Sequence, residues 1–135
     1  MFLDTSAVVA VLAGESEAHV FLDLIAKAGR TITSPHVRLE SCIILARNLG
    51  LEVDVAEQLF DGFLVEAQIE VVPITDALGR KAVEAFARFG KGRGHPAQLN
   101  FGDCLSYACA MAHDTPILFK GDDFARTDLR AAGRS

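Results

Sequence analysis

Apolar and polar positions alternate along this chain with two different periods, and the switches between them divide it into strands and helices. Met1-Phe2-Leu3 is a short apolar run ending at Asp4; Thr5-Ser6 follows, then the apolar stretch 7–12 and Gly14. That predicts a buried strand, a polar turn and a short buried helix closed by glycine. Over 15–28, Ala18, Phe21, Leu22, Leu24, Ile25 and Ala28 recur at helical spacing, and Gly29 stops them, as expected of an amphipathic helix. Thr31-Ile32-Thr33 is a brief β-favouring run. Ser34-Pro35 then supplies a cap and a first-turn proline for a helix to Asn48-Leu49, with Gly50 as its stop.

Val55, Leu59, Phe63 and Ala67 step four at a time and predict a helix over 53–69. Glu70-Val71-Val72-Pro73-Ile74 reads as a strand cut short by its proline. Thr75 or Asp76 caps a helix to Phe89, and the glycines and proline of 90–96 make a surface loop. Asn100 and Asp103 have the spacing of a capping box, and Leu105, Ala108, Cys109 and Ala112 give the helix behind them one buried face. Pro116-Ile117-Leu118-Phe119 is the last clear strand, and Lys120-Gly121-Asp122-Asp123 turns off its end. The order strand, helices, strand, helices, strand, helix, helix, strand predicts an α/β protein. The expected architecture is a three-layer α/β/α sandwich around a mostly parallel sheet of four to five strands. Repeats, linkers and low-complexity tracts are absent, so a single domain over 1–135 is expected.

With 50% hydrophobic and 23% charged residues, the composition is that of an ordinary folded domain. No apolar run reaches the roughly 18 residues of a membrane span, and the opening residues have no basic flank of the kind a signal peptide carries. Cys42, Cys104 and Cys109 are odd in number and sit among Ile, Leu and Ala. They read as small buried hydrophobes in a reducing compartment, the cytoplasm. A net charge of −5 argues against a protein that coats nucleic acid through a basic surface. It leaves room for an enzyme whose acidic centre is bridged to phosphate by divalent ions.

In open α/β sheets the functional crevice lies outside the carboxyl ends of the strands. Asp4 and the Asp122-Asp123 pair fall at two such ends, and Asp103 opens the helix before the last strand. Asp103 alone would be only a cap. Glu40 lies inside the 35–48 helix beside Val37, Leu39, Ile43 and Ile44, turned either to solvent or into the crevice. Carboxylates brought together without a counter-cation repel one another, so their convergence calls for a divalent ion. An oxygen-only ligand set selects Mg²⁺, with Mn²⁺ able to substitute. The chemistry such a site supports is metal-assisted hydrolysis of a phosphodiester.

Rival machinery is missing: there is no Walker-type phosphate loop and no G-x-S-x-G elbow. His19, His36, His95 and His113 show no i,i+4 pairing and read as structural or exposed. Lys120, Arg126, Arg130, Arg93 and Lys91 are either phosphate contacts near the carboxyl edge or solvated surface. Tyr107, one turn past Asp103, fits core packing or stacking on a base.

Asp4-Thr5-Ser6-Ala7, Ser34-Pro35 with Glu40, Leu99-Asn100-Phe101-Gly102-Asp103-Cys104 and Phe119-Lys120-Gly121-Asp122-Asp123-Phe124, taken in this order, resemble PIN-domain proteins. More narrowly they resemble the VapC ribonuclease toxins of prokaryotic toxin–antitoxin pairs. The resemblance covers nearly the whole chain. It implies a Mg²⁺-dependent endoribonuclease whose acids match Asp4, Glu40, Asp103 and Asp122, with Thr5 or Ser6 as the hydroxyl that helps orient the metal shell. It also implies a homodimer and an antitoxin whose tail places a basic residue in the acidic pocket. One departure is that two acids adjoin after Lys120-Gly121, where many PIN domains space them, so Asp122 is expected as the fourth ligand and Asp123 as its alternate.

Other classes fit less well. A signalling receiver domain needs an acid pair at the first strand and a phosphate-accepting Asp after a central strand, whereas here Val72 meets Pro73. A haloacid-dehalogenase-like phosphatase needs Asp-x-Asp-x-Thr, which Asp4-Thr5-Ser6 breaks. A PIN domain that only binds its partner is the remaining alternative.

Overall fold

In the computed structural model, which describes residues 1–133, each expected strand shrinks to a residue pair. β1 is Phe2–Leu3, β2 Ile32–Thr33, β3 Glu70–Val71 and β4 Ile117–Leu118. The helices are α1 Thr5–Leu12, α2 Ala18–Lys27, α3 Pro35–Leu49, α4 Val53–Glu66, α5 Asp76–Phe89 and α6 Phe101–Ala112, with a 3-10 turn at Phe124–Arg126. The strands pair in the order β3-β2-β1-β4 and every pairing is parallel. Phe2 stands opposite both Ile32 and Ile117. Parallel neighbours cannot be joined by tight hairpins, which is why helices fill every connection. α1 packs on α2 and α3, α3 on α4 and α6, and α5 on α6. This is the three-layer arrangement that the alternation predicts.

β1, β2 and β4 are buried throughout, and β3 at the edge is exposed. The burial explains why the inner strands read as unbroken apolar runs rather than alternating ones. Phe2, Leu3, Ile32, Ile117 and Leu118 are at most 2% exposed, each contributing about 1.5–3 kcal/mol by burial. That packing makes the end of β1 a rigid platform. On the β4 edge, the Ala132 amide donates to the Ile117 carbonyl at 2.8 Å, and Ala131 pairs with Ile117 as an isolated parallel bridge. It is a fifth pass of the chain too short to be a strand.

Several boundaries differ from the pattern for local reasons. α1 begins at Thr5, not Ala7, because Asp4 caps it. α2 begins at Ala18 because 14–17 form turns, with the Glu15 amide donating to Ala10 and the Ala18 amide to Glu15. α4 stops at Glu66: Gln68 takes a left-handed φ of 54°, and the Ile69 amide donates back to Leu64 at 2.9 Å, a Schellman ending. Ser34 makes no capping bond with its side chain; its hydroxyl lies 2.6 Å from His36 Nδ1 instead. The three cysteines are free and buried, as their apolar neighbours predict. No helix among the described residues is long and apolar enough to cross a membrane.

The topology sets where chemistry can occur. From β1 the chain moves outward to β2 and β3, then returns to place β4 on the other side of β1. The switch point therefore lies between β1 and β4, and the crevice opens at their carboxyl ends. Asp4 and Lys120 stand there: the Asp4 amide donates to the Leu118 carbonyl at 3.1 Å, continuing the β1–β4 ladder by one residue.

Candidate active site

Asp4 leaves β1 as the N-cap of α1, accepting from the Ser6 amide at 3.1 Å and from the Ser6 hydroxyl at 2.7 Å, both at Oδ2. Ser6 in turn accepts from the Lys120 amide at 3.0 Å, so the ends of β1 and β4 are tied through one hydroxyl. Thr5 donates from Oγ1 to Glu40 Oε1 at 2.9 Å. This resolves the two readings of Glu40: α3 turns it towards the crevice. Asp103 occupies the N3 position of a complete capping box on α6. Its amide donates to Asn100 Oδ1 at 2.9 Å, and its own Oδ2 accepts from the Asn100 amide at 3.1 Å.

Asp4, Glu40 and Asp103 border one cleft of about 340 Å³, together with Thr5, Ser6, Val9, Glu15, Ile44, Asn100 and Lys120. A larger groove of about 530 Å³ lies between the ends of α2 and α4. Its Arg30 and Glu70 are paired with each other, so no unpaired set of like charges gathers there. In the smaller cleft, acids from three separated segments meet.

The electrostatics of the cleft record that crowding. Burial pushes the Asp103 carboxyl up to about 7; the Asn100 amide opposes the shift, and the charges of Asp4, Asp123 and Glu40 add to it. Glu40 is also raised, first by burial and then by Asp4, with the Thr5 hydroxyl opposing. Among the described residues, no three His, Cys, Asp or Glu side chains close tightly enough on one point to hold an ion as they stand. Each carboxylate accepts instead from a donor beside it: Ser6 for Asp4, Thr5 for Glu40 and the Asn100 amide for Asp103. Apart from Lys120 and Glu15, which are paired with each other, and the Asn100 side chain that caps α6, the polar groups on the cleft wall are oxygen donors: the carboxylates of Asp4, Glu40 and Asp103 and the hydroxyls of Thr5 and Ser6. That set suits a hard divalent cation, which would also relieve the charge strain at Asp103.

Other expected site residues lie elsewhere. Asp122 and Asp123 are exposed, and neither borders the cleft. Of the two, it is the Asp123 charge that acts on Asp103. Lys120 does line the cleft, its ammonium held 3.1 Å from both Glu15 and Glu17. Arg126 donates to the Pro96 carbonyl at 3.4 Å, and Arg93 is exposed on the 90–96 loop.

Arg130 belongs to the opposite end of the molecule. Its side chain donates to the Asp114 carbonyl at 3.2 Å, just past the far end of α6, a helix about 18 Å long at 1.5 Å per residue. Tyr107 is core: it is 5% exposed, packs on Phe89 and donates to Asp128. His36 is structural, bridging Ser34 and Ser106 at 2.6 and 2.9 Å. Glu15 and Glu17 escaped the sequence reading because they fall inside an apparently amphipathic run.

The model of the PIN domain family matches residues 1–129. This chain is a member of the PIN domain family. Ribonuclease VapC28 of Mycobacterium tuberculosis is 41% identical over 132 residues, covering 98% of this chain and 97% of the relative. Among solved structures, VapC20 of Mycobacterium tuberculosis, described as a sarcin-ricin loop cleaving toxin, superposes with a TM-score of 0.74 at 24% identity, covering 95% of each chain. A toxin-antitoxin complex from Klebsiella pneumoniae gives 0.66 at 17% identity, over 92% of this chain and 89% of that one. These two likenesses are of fold. They agree with the PIN arrangement of sheet and helices, and the receiver-like alternative is not favoured: the strand it would need at the centre of the sheet, β3, lies at the edge.

Proposed function

We propose that this PIN-domain protein is a metal-dependent endoribonuclease, the toxin of a toxin–antitoxin pair, with Asp4, Glu40 and Asp103 as the acids that hold the metal and Mg²⁺ as the physiological ion. The observation that carries the reading is the convergence of three carboxylates from β1, α3 and α6 on one oxygen-lined cleft at the switch point of the sheet. The similarity to named ribonucleases over almost the whole chain supplies the substrate class.

In this reading, Asp4 is the most rigid of the three, fixed by the Ser6 amide and hydroxyl, and Thr5 orients Glu40. Asp103, raised to about 7, would hold the ion in its deprotonated form. A divalent ion held by Asp4, Glu40 and Asp103 would supply the Lewis acidity that phosphodiester hydrolysis needs. The fourth acid would come from the Asp122-Asp123 pair outside the cleft, and of the two Asp123 is the one whose charge acts on Asp103. Lys120 at the cleft rim is the leading phosphate contact, while Arg126 and Arg93 reach more distal parts of an RNA.

The partners proposed are an antitoxin, whose basic side chain would satisfy the same charge deficit as the ion, and a second copy of the chain. Exposed Leu39 and Ile43 on α3 and Val55 and Leu59 on α4 provide apolar surface for such contacts. The experiment is incubation of a pool of tRNA, rRNA and mRNA with the protein and Mg²⁺, followed by mapping of new ends. Discrete cuts that vanish with chelator and in Asp4→Asn are expected. Cleavage that persists in either case would refute the proposal.

A further inference from the structure

Gly102 is the second residue of α6 and is buried. It is not among the glycines with positive φ, so its backbone is of a kind any residue can adopt. In a helix, alanine is the preferred residue at such a position, and the glycine therefore needs another reason. A Cβ placed on Gly102 would lie 2.6 Å from Glu40 Oε1 and 2.7 Å from Glu40 Cδ, and closer still to Oε2. At the other helical glycines, Gly62 in α4 and Gly79 in α5, a Cβ would meet nothing within 4 Å. The missing side chain at 102 is thus a notch, and the Glu40 carboxylate fills it.

The surrounding contacts keep the notch and the carboxylate in register. His36 precedes Glu40 by one turn of α3, and its Nε2 lies 2.9 Å from the Ser106 hydroxyl, one turn past Gly102 on α6. That contact fixes the spacing of the two helices. From the α1 side, the Thr5 hydroxyl holds Glu40 Oε1 at 2.9 Å. Glu40 thereby lies against the first turn of α6, beside Asp103, rather than out in solvent.

We propose that Gly102 is a positioning residue for Glu40: the absence of a side chain there is what lets the carboxylate reach the metal-holding cleft. The inference rests on the reading of that cleft as a metal centre. A methyl group at 102 would displace the free end of a flexible side chain rather than backbone, so the fold should survive while Glu40 is pushed off Thr5 and away from Asp103.

The test compares Gly102→Ala with the parent and with Gly62→Ala, an alanine placed in an open helical position that does not line the cleft. Mn²⁺ affinity is read by calorimetry on metal-free protein, thermal midpoint by circular dichroism, and kcat and KM by RNA cleavage. Gly102→Ala should bind Mn²⁺ about tenfold or more weakly and lose about 100-fold in kcat with KM little changed and its midpoint not lowered. Gly62→Ala should match the parent in both metal binding and cleavage. In a Glu40→Gln background, Gly102→Ala should add no further loss, because it acts through a group already removed. Parent-like Mn²⁺ binding in Gly102→Ala, a loss that adds in full to that of Glu40→Gln, or a lowered midpoint would overturn the inference. A parent that binds Mn²⁺ but cuts no RNA would refute the nuclease reading alone, and the Mn²⁺ measurements would still decide the role of Gly102.

Discussion

Two half-buried titratable side chains give this protein opposing responses to pH. Asp103 is raised to about 7 by burial and then by neighbouring acids, so the folded state holds its proton where the unfolded chain has lost it. Its contribution to stability is complete below about pH 4 and is lost as pH rises through 7. His36 is lowered to about 4 by burial, with the Gly102 backbone opposing. Its contribution is present above about 6.5 and is lost as pH falls towards 4. In metal-free protein the two slopes oppose each other over the same window. Relative to the parent, Asp103→Asn should therefore gain stability steadily from pH 4 to 7, and His36→Gln should lose it steadily from pH 4 to 6.5. Denaturant titrations at a series of pH values read both. Difference curves that are flat, or that slope the other way, would show that these side chains do not carry the burden assigned to them.

The elements themselves were largely legible, because apolar periodicity and caps are local signals. Thr75 caps α5 through the Leu78 amide at 3.2 Å, and the Asn100–Asp103 capping box is complete, both as the spacing predicts. What the pattern could not give was direction. Whether Glu40 faces solvent or crevice depends on how α3 packs against α1 and α6, a tertiary fact. The same holds for Arg130, whose position four residues after Arg126 says nothing of its being carried to the far end of α6. The choice between Asp122 and Asp123 turns on a single turn of chain, and the role of Glu15 on where α2 begins. One local signal was there to be used: a glycine next to an acid inside a helix start is costly unless something occupies its missing side chain. The converse case is Gly62 and Gly79, helical and with open space around them. Alanine at either position should stabilise the protein by about 0.5–1 kcal/mol, checked by urea unfolding; destabilisation would mean that these sites pack against something.

On the scale of the whole molecule, an acidic protein with a net charge of −5 is proposed to act on a polyanion. Coulomb repulsion then has to be offset locally, and Lys120 is the cation on the cleft wall. Lys120→Gln should raise KM for RNA severalfold with a smaller effect on kcat, and added salt should narrow the difference between variant and parent. An unchanged KM would remove Lys120 from the substrate path. The sheet topology matters more than any single charge, since it is the return of β4 to the side of β1 that opens a crevice where β1, α3 and α6 can each contribute a carboxylate. The central claim is that these three acids together hold a divalent ion. Crystals soaked in Mn²⁺ and measured at the manganese absorption edge test it most directly. An anomalous-difference peak within bonding reach of the Asp4, Glu40 and Asp103 carboxylates is predicted. An empty cleft under saturating Mn²⁺, or a peak held by other residues, would contradict the account.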